Sequence, residues 1–164
     1  MIRKARPEDA KGIHEAHMHS IQTICSKDHS PEEIRAWGGR PFNESQRIQA
    51  IQNQHVWVVE LDQKIEGYGQ VRIYEKEGVK LAHVMGLYLT PKALGQKFGK
   101  SIMNLMLSRA KSQGVEKIGL ESTLTSHEFY KKIGFSDTGA QMTVEISGTA
   151  IRCIPMEMVV IRDL

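Results

Sequence analysis

The chain has 164 residues, of which 40% are hydrophobic and 25% are charged, and its formal net charge is +3. This length suits one domain with a substantial core, expected over residues 1–164, and the composition excludes disordered and fibrous proteins. The first ten residues are too charged for a signal peptide, and no apolar run approaches the ~20 residues that span a bilayer. We therefore expect a cytoplasmic protein with no membrane partner.

Lysine and arginine residues are scattered along the chain and do not mass on one predicted face, which argues against a nucleic-acid partner. The basic balance is also compatible with an anionic cofactor. Cys25 and Cys153 are too few and too far apart for a disulfide framework or a zinc site of the CxxC type. Both cysteines are therefore expected to be free thiols.

Helical signals follow a short predicted strand at the start of the chain. A first helix is predicted over residues 8–26. Ser30 begins a capping box, with Pro31 at the first helical position and Glu33 as the acidic partner, and this pattern predicts a second, short helix. A third helix is predicted after Asn43.

From residue 55 onward apolar residues alternate with a period of two, and three strands joined by short turns predict an antiparallel meander. Further strands and two helices with a 3.6-residue period follow. The predicted strands lie at residues 55–61, 64–75, 80–90, 115–122, 142–147 and 150–160, and the helices at residues 100–114 and 126–134. This order predicts an α+β fold with a mixed, mostly antiparallel sheet of about seven strands flanked by helices.

The stretch "GQKFGKS", Gly95 to Ser101, lies between a predicted strand and a long helix. Unpaired N–H groups and the helix dipole favour an anion there, and Lys97 and Lys100 add positive charge. A Walker A loop has four residues between its first glycine and its Gly-Lys-Ser, whereas this stretch has three, and no strand ending in a magnesium-binding Asp is evident. A nucleotide site and an ordinary solvated helix start are the alternatives to a site for another phosphate.

The segment "LYLTPKALGQKFGKSIMNLMLSRAKSQGVEKIGLESTLTSHEFYKKIGF" and the opening "IRKARPEDA" together resemble the GNAT superfamily of acetyl-CoA-dependent N-acetyltransferases. The resemblance covers essentially the whole chain and is strongest over residues 81–135. It implies the GNAT fold, acetyl-CoA as cosubstrate without a metal, and a small-molecule amine or a peptide amine as the acceptor. It also leaves open a homodimer formed through the last strands.

In that family the phosphate loop usually has the pattern Gln/Arg-x-x-Gly-x-Gly/Ala, a few residues after a proline. Counted from Pro91, the common spacing places Leu94 at the Gln/Arg position, Lys97 at the first glycine and Gly99 at the last. A second register begins at Gln96, and we prefer the first because it keeps the family's distances to the later motifs. Lys97 is tolerable in place of glycine if its φ stays negative.

The resemblance implies which residues bind CoA. The loop amides would hold the pyrophosphate, the end of the fourth strand would pair with pantetheine, and Thr125 would stand where relatives often have an asparagine that contacts pantetheine. The cofactor-binding residues implied in this way are Leu87, Tyr88, Leu89, Leu94, Gly95, Gln96, Lys97, Phe98, Gly99, Lys100, Ser101, Thr125 and Tyr130.

Acetyl transfer to an amine requires a base for the amine and a proton for the leaving thiolate. The resemblance implies that Tyr130, in "EFYKKIGF", is the proton donor. His83 stands where many relatives carry a glutamate, and an imidazole can accept the ammonium proton. Glu121 and Glu75 are weaker alternatives for the base.

Three histidines in "HEAHMHS" raise the question of a metal site. On a helix His14 and His17 share a face but His19 points away, and no carboxylate or cysteine completes a site, so no metal is expected. The resemblance instead makes His17 and Trp37 candidates for the acceptor side, while packing in the core is the stronger expectation for both tryptophans.

Two other functions remain compatible with the sequence. Departures from the family pattern at Leu94, Lys97 and Thr125 leave open a module that binds acyl-CoA without turnover. A nucleotide phosphotransferase is the second alternative. Nothing in the sequence identifies the amine acceptor.

Overall fold

The computed structural model describes residues 1–161. The strands are β1 Ile2–Lys4, β2 His55–Leu61, β3 Lys64–Lys76, β4 Val79–Leu89, β5 Lys117–Ser122, β6 Ser136–Asp137, β7 Met142–Ile146 and β8 Thr149–Val159. The helices are α1 Ala10–Thr23, α2 Pro31–Gly38, α3 Glu44–Asn53, α4 Phe98–Ser112 and α5 His127–Ile133. Short 3-10 turns at Pro7–Asp9 and Cys25–Lys27 stand at the two ends of the helix predicted over residues 8–26.

The predicted fold class is confirmed: the strands form a mixed, largely antiparallel sheet in the order β1-β2-β3-β4-β5-β8-β6, and β7 pairs with β8. The predicted meander of β2, β3 and β4 is also confirmed. The described residues contain one strand more than the seven predicted, because β6 has only two residues and therefore no detectable period.

One pair of strands, β4 and β5, is parallel, because α4 carries the chain across the sheet between them. Their pairing covers only Leu81 to His83 on β4 and Lys117 to Gly119 on β5. Beyond these residues the two strands separate. The opening between them lies beside the second half of β4.

Helix α4 packs its apolar stripe on one face of the sheet. Ile102, Met103, Met106 and Ala110 are fully buried in the main hydrophobic cluster, which also includes Trp57. Burial of each Ile or Met side chain in this stripe contributes about 1.5–3 kcal/mol, so this helix is held firmly on the sheet.

Helices α1 and α2 pack on the opposite face. Trp37 lies in a second buried cluster with Met18, Ile21, Cys25 and Ile151 from β8. Both tryptophans are therefore core residues, as expected.

The predicted capping box is confirmed at the start of α2. The Glu33 N–H donates to Ser30 Oγ at 3.1 Å, and the Ser30 N–H donates to Glu33 Oε1 at 2.9 Å. The same carboxylate accepts a hydrogen bond from Arg152 Nη2 at 2.7 Å and lies 3.1 Å from His29 Nδ1. Glu33 therefore ties α2 to β8 as well as capping its own helix.

Candidate active site

A cavity of about 400 Å³ lies between the second half of β4, the loop before α4, and α5. Its lining includes most of the residues that the sequence assigned to CoA. They are Leu87, Tyr88, Leu89, Leu94, Gly95, Lys97, Phe98, Gly99, Lys100, Thr125 and Tyr130. We call this space the groove.

Two residues assigned to CoA by the sequence do not line the groove. The Gln96 side chain turns back along the loop, and its Nε2 donates to the Lys92 carbonyl at 2.9 Å. The Ser101 N–H donates to the Lys97 carbonyl as part of the first turn of α4. These two positions therefore support the shape of the loop.

Lys97 immediately precedes α4 and has φ 63° and ψ 17°, which is the left-handed conformation. The condition under which the sequence tolerates a lysine here, a negative φ, is therefore not met. Gly95 also has a positive φ, 78°, so the chain turns sharply twice before the helix begins. The conformation of Lys97 is the one that glycine adopts most readily, which favours the register that places it at the family's first glycine.

The start of α4 leaves backbone donors available to a ligand. Within residues 1–161 no side chain caps this helix, so the N–H groups of its first turn lack a side-chain acceptor there. Gly99 lies close beneath α5, where an added Cβ would stand 3.3 Å from Phe129 Cζ. The absence of a side chain at this position lets the helix start lie against the wall of the groove.

A β-bulge lies in β4 next to the groove. Gln70 pairs with Gly86 and Val71 pairs with Val84, so Met85 is the extra residue and has no partner in β3. A small cavity of about 30 Å³ adjoins this bulge where β4 and β5 separate, and Tyr130 lines both this cavity and the groove.

Tyr130 is 5% exposed and packs edge to face against Phe129 and Phe135, with centroid distances of 5.2 and 5.6 Å. Burial raises the pKa of Tyr130 well above its usual value. The phenol therefore keeps its proton at neutral pH.

His83 Nε2 lies 2.6 Å from Glu121 Oε2, although the two residues are 38 positions apart. The hydrogen bond to His83 lowers the pKa of Glu121, against the opposing effect of burial. Glu121 lines the small cavity at the bulge, whereas His83 does not. Glu75 pairs with Lys80 near the turn between β3 and β4 and lines neither space.

The groove also contains a buried hydroxyl, on Thr125, and a buried thiol, on Cys25. The Thr125 hydroxyl has no nitrogen or oxygen partner within residues 1–161 and lies beside the Cys25 thiol. Burial raises the pKa of Cys25 to about 12. The thiol is therefore protonated, and the threonine hydroxyl has unused hydrogen-bonding capacity.

A cavity of about 210 Å³ lies on the α1 and α3 side of the sheet and is lined at its sheet end by Met85. We call it the acceptor cavity. Its polar lining includes His14, His17, Arg40 and Arg47.

A family model for the GNAT acetyltransferase domain matches residues 25–160. The chain belongs to the GNAT acetyltransferase family. A glucosamine 6-phosphate N-acetyltransferase of Arabidopsis thaliana is 27% identical over 118 residues, which cover 68% of this acetyltransferase and 70% of the relative.

Solved GNAT structures share the fold. A GCN5-related N-acetyltransferase from Rhodopseudomonas palustris superposes with a TM-score of 0.83 at 21% identity, covering 97% of this chain and 94% of the other. The PaiA N-acetyltransferase of Thermoplasma acidophilum, solved in complex with coenzyme A, gives 0.76 at 20% identity and covers 97% and 98%.

Sequence reasoning missed Arg40 and Arg47 in this GNAT protein, and ranked Glu121 below His83 although the two form a pair. No local pattern marks these residues, because they meet the site from separate elements.

The described part of the chain contains no group of three or more His, Cys, Asp or Glu side chains placed to hold a metal ion. Across residues 1–161, none of the helices is both long and apolar enough to cross a bilayer.

Proposed function

We propose that this protein is a cytoplasmic N-acetyltransferase that moves acetyl from acetyl-CoA to a primary amine by direct attack in a ternary complex. The observation that carries the proposal is the groove, which runs from the uncapped start of α4 along β4 to the buried Tyr130. It joins an anion site to a proton donor within one continuous space.

Acetyl-CoA suits the residues of the groove. The amides at the start of α4 and the charges of Lys97 and Lys100 would bind the pyrophosphate. Beyond His83 the edge of β4 has no strand neighbour in β5, so its backbone is available to the amides of pantetheine. The Thr125 hydroxyl, which has no nitrogen or oxygen partner within residues 1–161, offers one further hydrogen bond. The coenzyme A complex of the Thermoplasma acidophilum protein supports this assignment.

Acetyl transfer requires that the acceptor amine lose a proton and that the leaving thiolate of CoA gain one. The amine nitrogen attacks the thioester carbonyl, the C–N bond forms and the C–S bond breaks. The bulge at Met85 leaves a backbone donor for the oxygen that gains charge. Tyr130 gives its proton to the leaving thiolate, and the pair of His83 and Glu121 accepts the proton of the ammonium, directly or through water.

Cys25 is the residue to consider for a covalent acetyl-enzyme, because its thiol lines the groove. The thiolate is the nucleophilic form of cysteine, and a pKa of about 12 leaves very little of it at neutral pH. Direct transfer is therefore favoured over a two-step route.

Binding and turnover measured together test this proposal. Isothermal titration with acetyl-CoA, CoA and ATP-magnesium should show heat only for the first two. A free-thiol assay should then show CoA release with primary amines, including glucosamine 6-phosphate, for which the Arabidopsis relative is named. Double-reciprocal plots of the initial rate, with acetyl-CoA varied at several fixed amine concentrations, should give intersecting lines.

Other outcomes identify the alternatives. Absence of CoA binding contradicts the whole proposal, and parallel initial-rate plots contradict direct transfer. CoA binding without thiol release over the amine panel would instead identify a non-catalytic acyl-CoA module.

A further inference from the structure

The acceptor cavity opens toward the place where acetyl transfer would occur. Met85, the unpaired residue of the bulge, lines both this cavity and the small cavity that contains Tyr130 and Glu121. An amine seated here would therefore reach the carbonyl from the side opposite the groove. The chemistry of the remaining walls then selects the acceptor.

Two arginines give one wall of the acceptor cavity its charge. Arg40 and Arg47 are both half-buried. Arg40 Nε donates to the Trp37 carbonyl at 2.9 Å, which holds the side chain in place and leaves the terminal N–H groups of its guanidinium for another partner. The Arg47 guanidinium lies 5.7 Å from the centre of the Tyr68 ring.

No carboxylate of the described structure balances these two charges. Among the described residues that line the acceptor cavity none is Asp or Glu, and within residues 1–161 neither arginine forms an ion pair. Burial first, and then the charges of Arg47 and Arg40, lower the pKa of His14 on the same wall. Half-buried cations without a counter-ion are costly in free energy. A ligand that supplies a negative charge would therefore be stabilised by both arginines.

His17 holds Arg47 in this wall. Arg47 Nη2 lies 2.9 Å from His17 Nδ1, and because a guanidinium N–H can only donate, Nδ1 is the acceptor. The imidazole proton is then on Nε2, which is buried and has no hydrogen-bond partner within residues 1–161. His17 is 7% exposed and its ring lines the cavity, so a buried neutral acceptor holds the Arg47 guanidinium in this wall.

We propose that the acceptor is a small primary amine that also carries an anionic group, a phosphate or a carboxylate, and that Arg40 and Arg47 bind this anion. The proposal rests on the function proposed above, because it assigns the amine end of the same ligand to the space beside Met85. Polycationic amines such as spermidine are excluded by the same charges.

Matched pairs of amines test the proposal. Phosphoethanolamine is compared with ethanolamine, and β-alanine with β-alaninamide, by isothermal titration into free protein and CoA-saturated protein and by kcat/KM with acetyl-CoA. We expect the anionic member of at least one pair to bind about tenfold tighter or better, since hydrogen bonds to a charged group are stronger than neutral ones. The two pairs distinguish phosphate from carboxylate as the preferred anion.

Variants then locate the anion site. Arg47→Gln and Arg40→Gln should each lower the preference for the anionic member by about tenfold while the neutral member is little affected. Arg47→Lys should retain part of the preference. Arg109→Gln removes the same charge from α4, on the other face of the sheet, and should leave the preference unchanged.

The result that would overturn this inference is equal or tighter binding of the neutral members by the wild-type protein. Equal weakening of both members of a pair in the arginine variants would overturn it as well. These outcomes are separate from the proposed function. If the enzyme releases CoA equally well with amines of every charge, the proposed function stands and the anion site is wrong. If the protein does not bind acetyl-CoA, the proposed function is wrong. Titration of the amine pairs into free protein then still tests the anion site.

Discussion

His83 and Glu121 join β4 to β5 at the end of their parallel pairing, with Nε2 and Oε2 2.6 Å apart. The last paired residues of the two strands are His83 and Gly119, so the contact stands beside the opening that leads to Tyr130. A carboxylate in this position orients the imidazole. The proposed mechanism therefore treats the two residues as one unit.

Substitution of either member of this pair should slow catalysis without abolishing it. We expect His83→Gln and Glu121→Gln each to lower kcat about 10–100-fold, with the KM for acetyl-CoA unchanged. The double variant should be no slower than the slower single variant, because the pair acts as a unit. Steady-state kinetics measure this, and Glu75→Gln, on the exposed end of β3, is the matched control. A double variant whose loss of kcat equals the product of the two single losses would contradict a shared role.

Tyr130→Phe separates a catalytic phenol from a packing residue. The hydroxyl forms no hydrogen bond within the described residues, so the free energy of unfolding should change by less than about 1 kcal/mol. Loss of the proton donor should lower kcat about 100-fold. Because burial raises the pKa of Tyr130, this loss should be the same from pH 6 to pH 9. Unchanged kcat would assign Tyr130 to packing alone, and Tyr74→Phe on β3 serves as the control.

Two substitutions of Lys97 distinguish its backbone from its charge. Lys97→Gly should raise the free energy of unfolding by about 0.5–1 kcal/mol, because the left-handed conformation costs a lysine about 1–2 kcal/mol and the flexibility of glycine offsets part of that gain. Lys97→Asn removes the charge with a side chain that tolerates the same φ. Both should weaken CoA binding several-fold at low salt and less at high salt. Titration calorimetry at two ionic strengths measures this, and equal CoA affinity in all three proteins would assign binding to the backbone alone.

Stability should fall in acid because of Glu33. Burial by itself would raise the pKa of Glu33, but the hydrogen bonds from Arg152, Ser30 and His29 outweigh it and hold the pKa well below its usual range. A carboxylate with a lowered folded pKa contributes stability above its unfolded pKa of about 4.3, and this contribution is lost as the pH falls through the folded value.

Glu33→Gln should therefore lower the free energy of unfolding at pH 7 by about 2 kcal/mol and reduce its dependence on pH below 4.5. Urea unfolding at a series of pH values measures both effects. Glu32→Gln alters the exposed neighbouring carboxylate in the same helix and should leave the curve unchanged. A Glu33→Gln protein that keeps the wild-type acid sensitivity would show that other carboxylates are responsible.

Local signals in the chain were sufficient for most of the helices and strands. The capping box of Ser30 and Glu33 predicted the start of α2, and the period-two segments predicted the meander, because caps and periodicity act over a few residues. The loop before α4 was compatible with a phosphate site on local grounds, and the resemblance to the GNAT family assigned it to the CoA pyrophosphate. The conformation of Lys97 was not predicted, since glycine is the usual residue where φ is positive and a lysine there is held by the surrounding turn.

The chemistry of the site was decided by contacts between distant segments. His83 and Glu121 are 38 residues apart and meet only because α4 returns the chain so that β5 lies parallel to β4. Arg40 and Arg47 come from a loop and from α3, yet both line the acceptor cavity beside the middle of α1. Nothing in either local sequence specifies these approaches, because the burial that orients the side chains depends on how the helices pack on the two faces of the sheet.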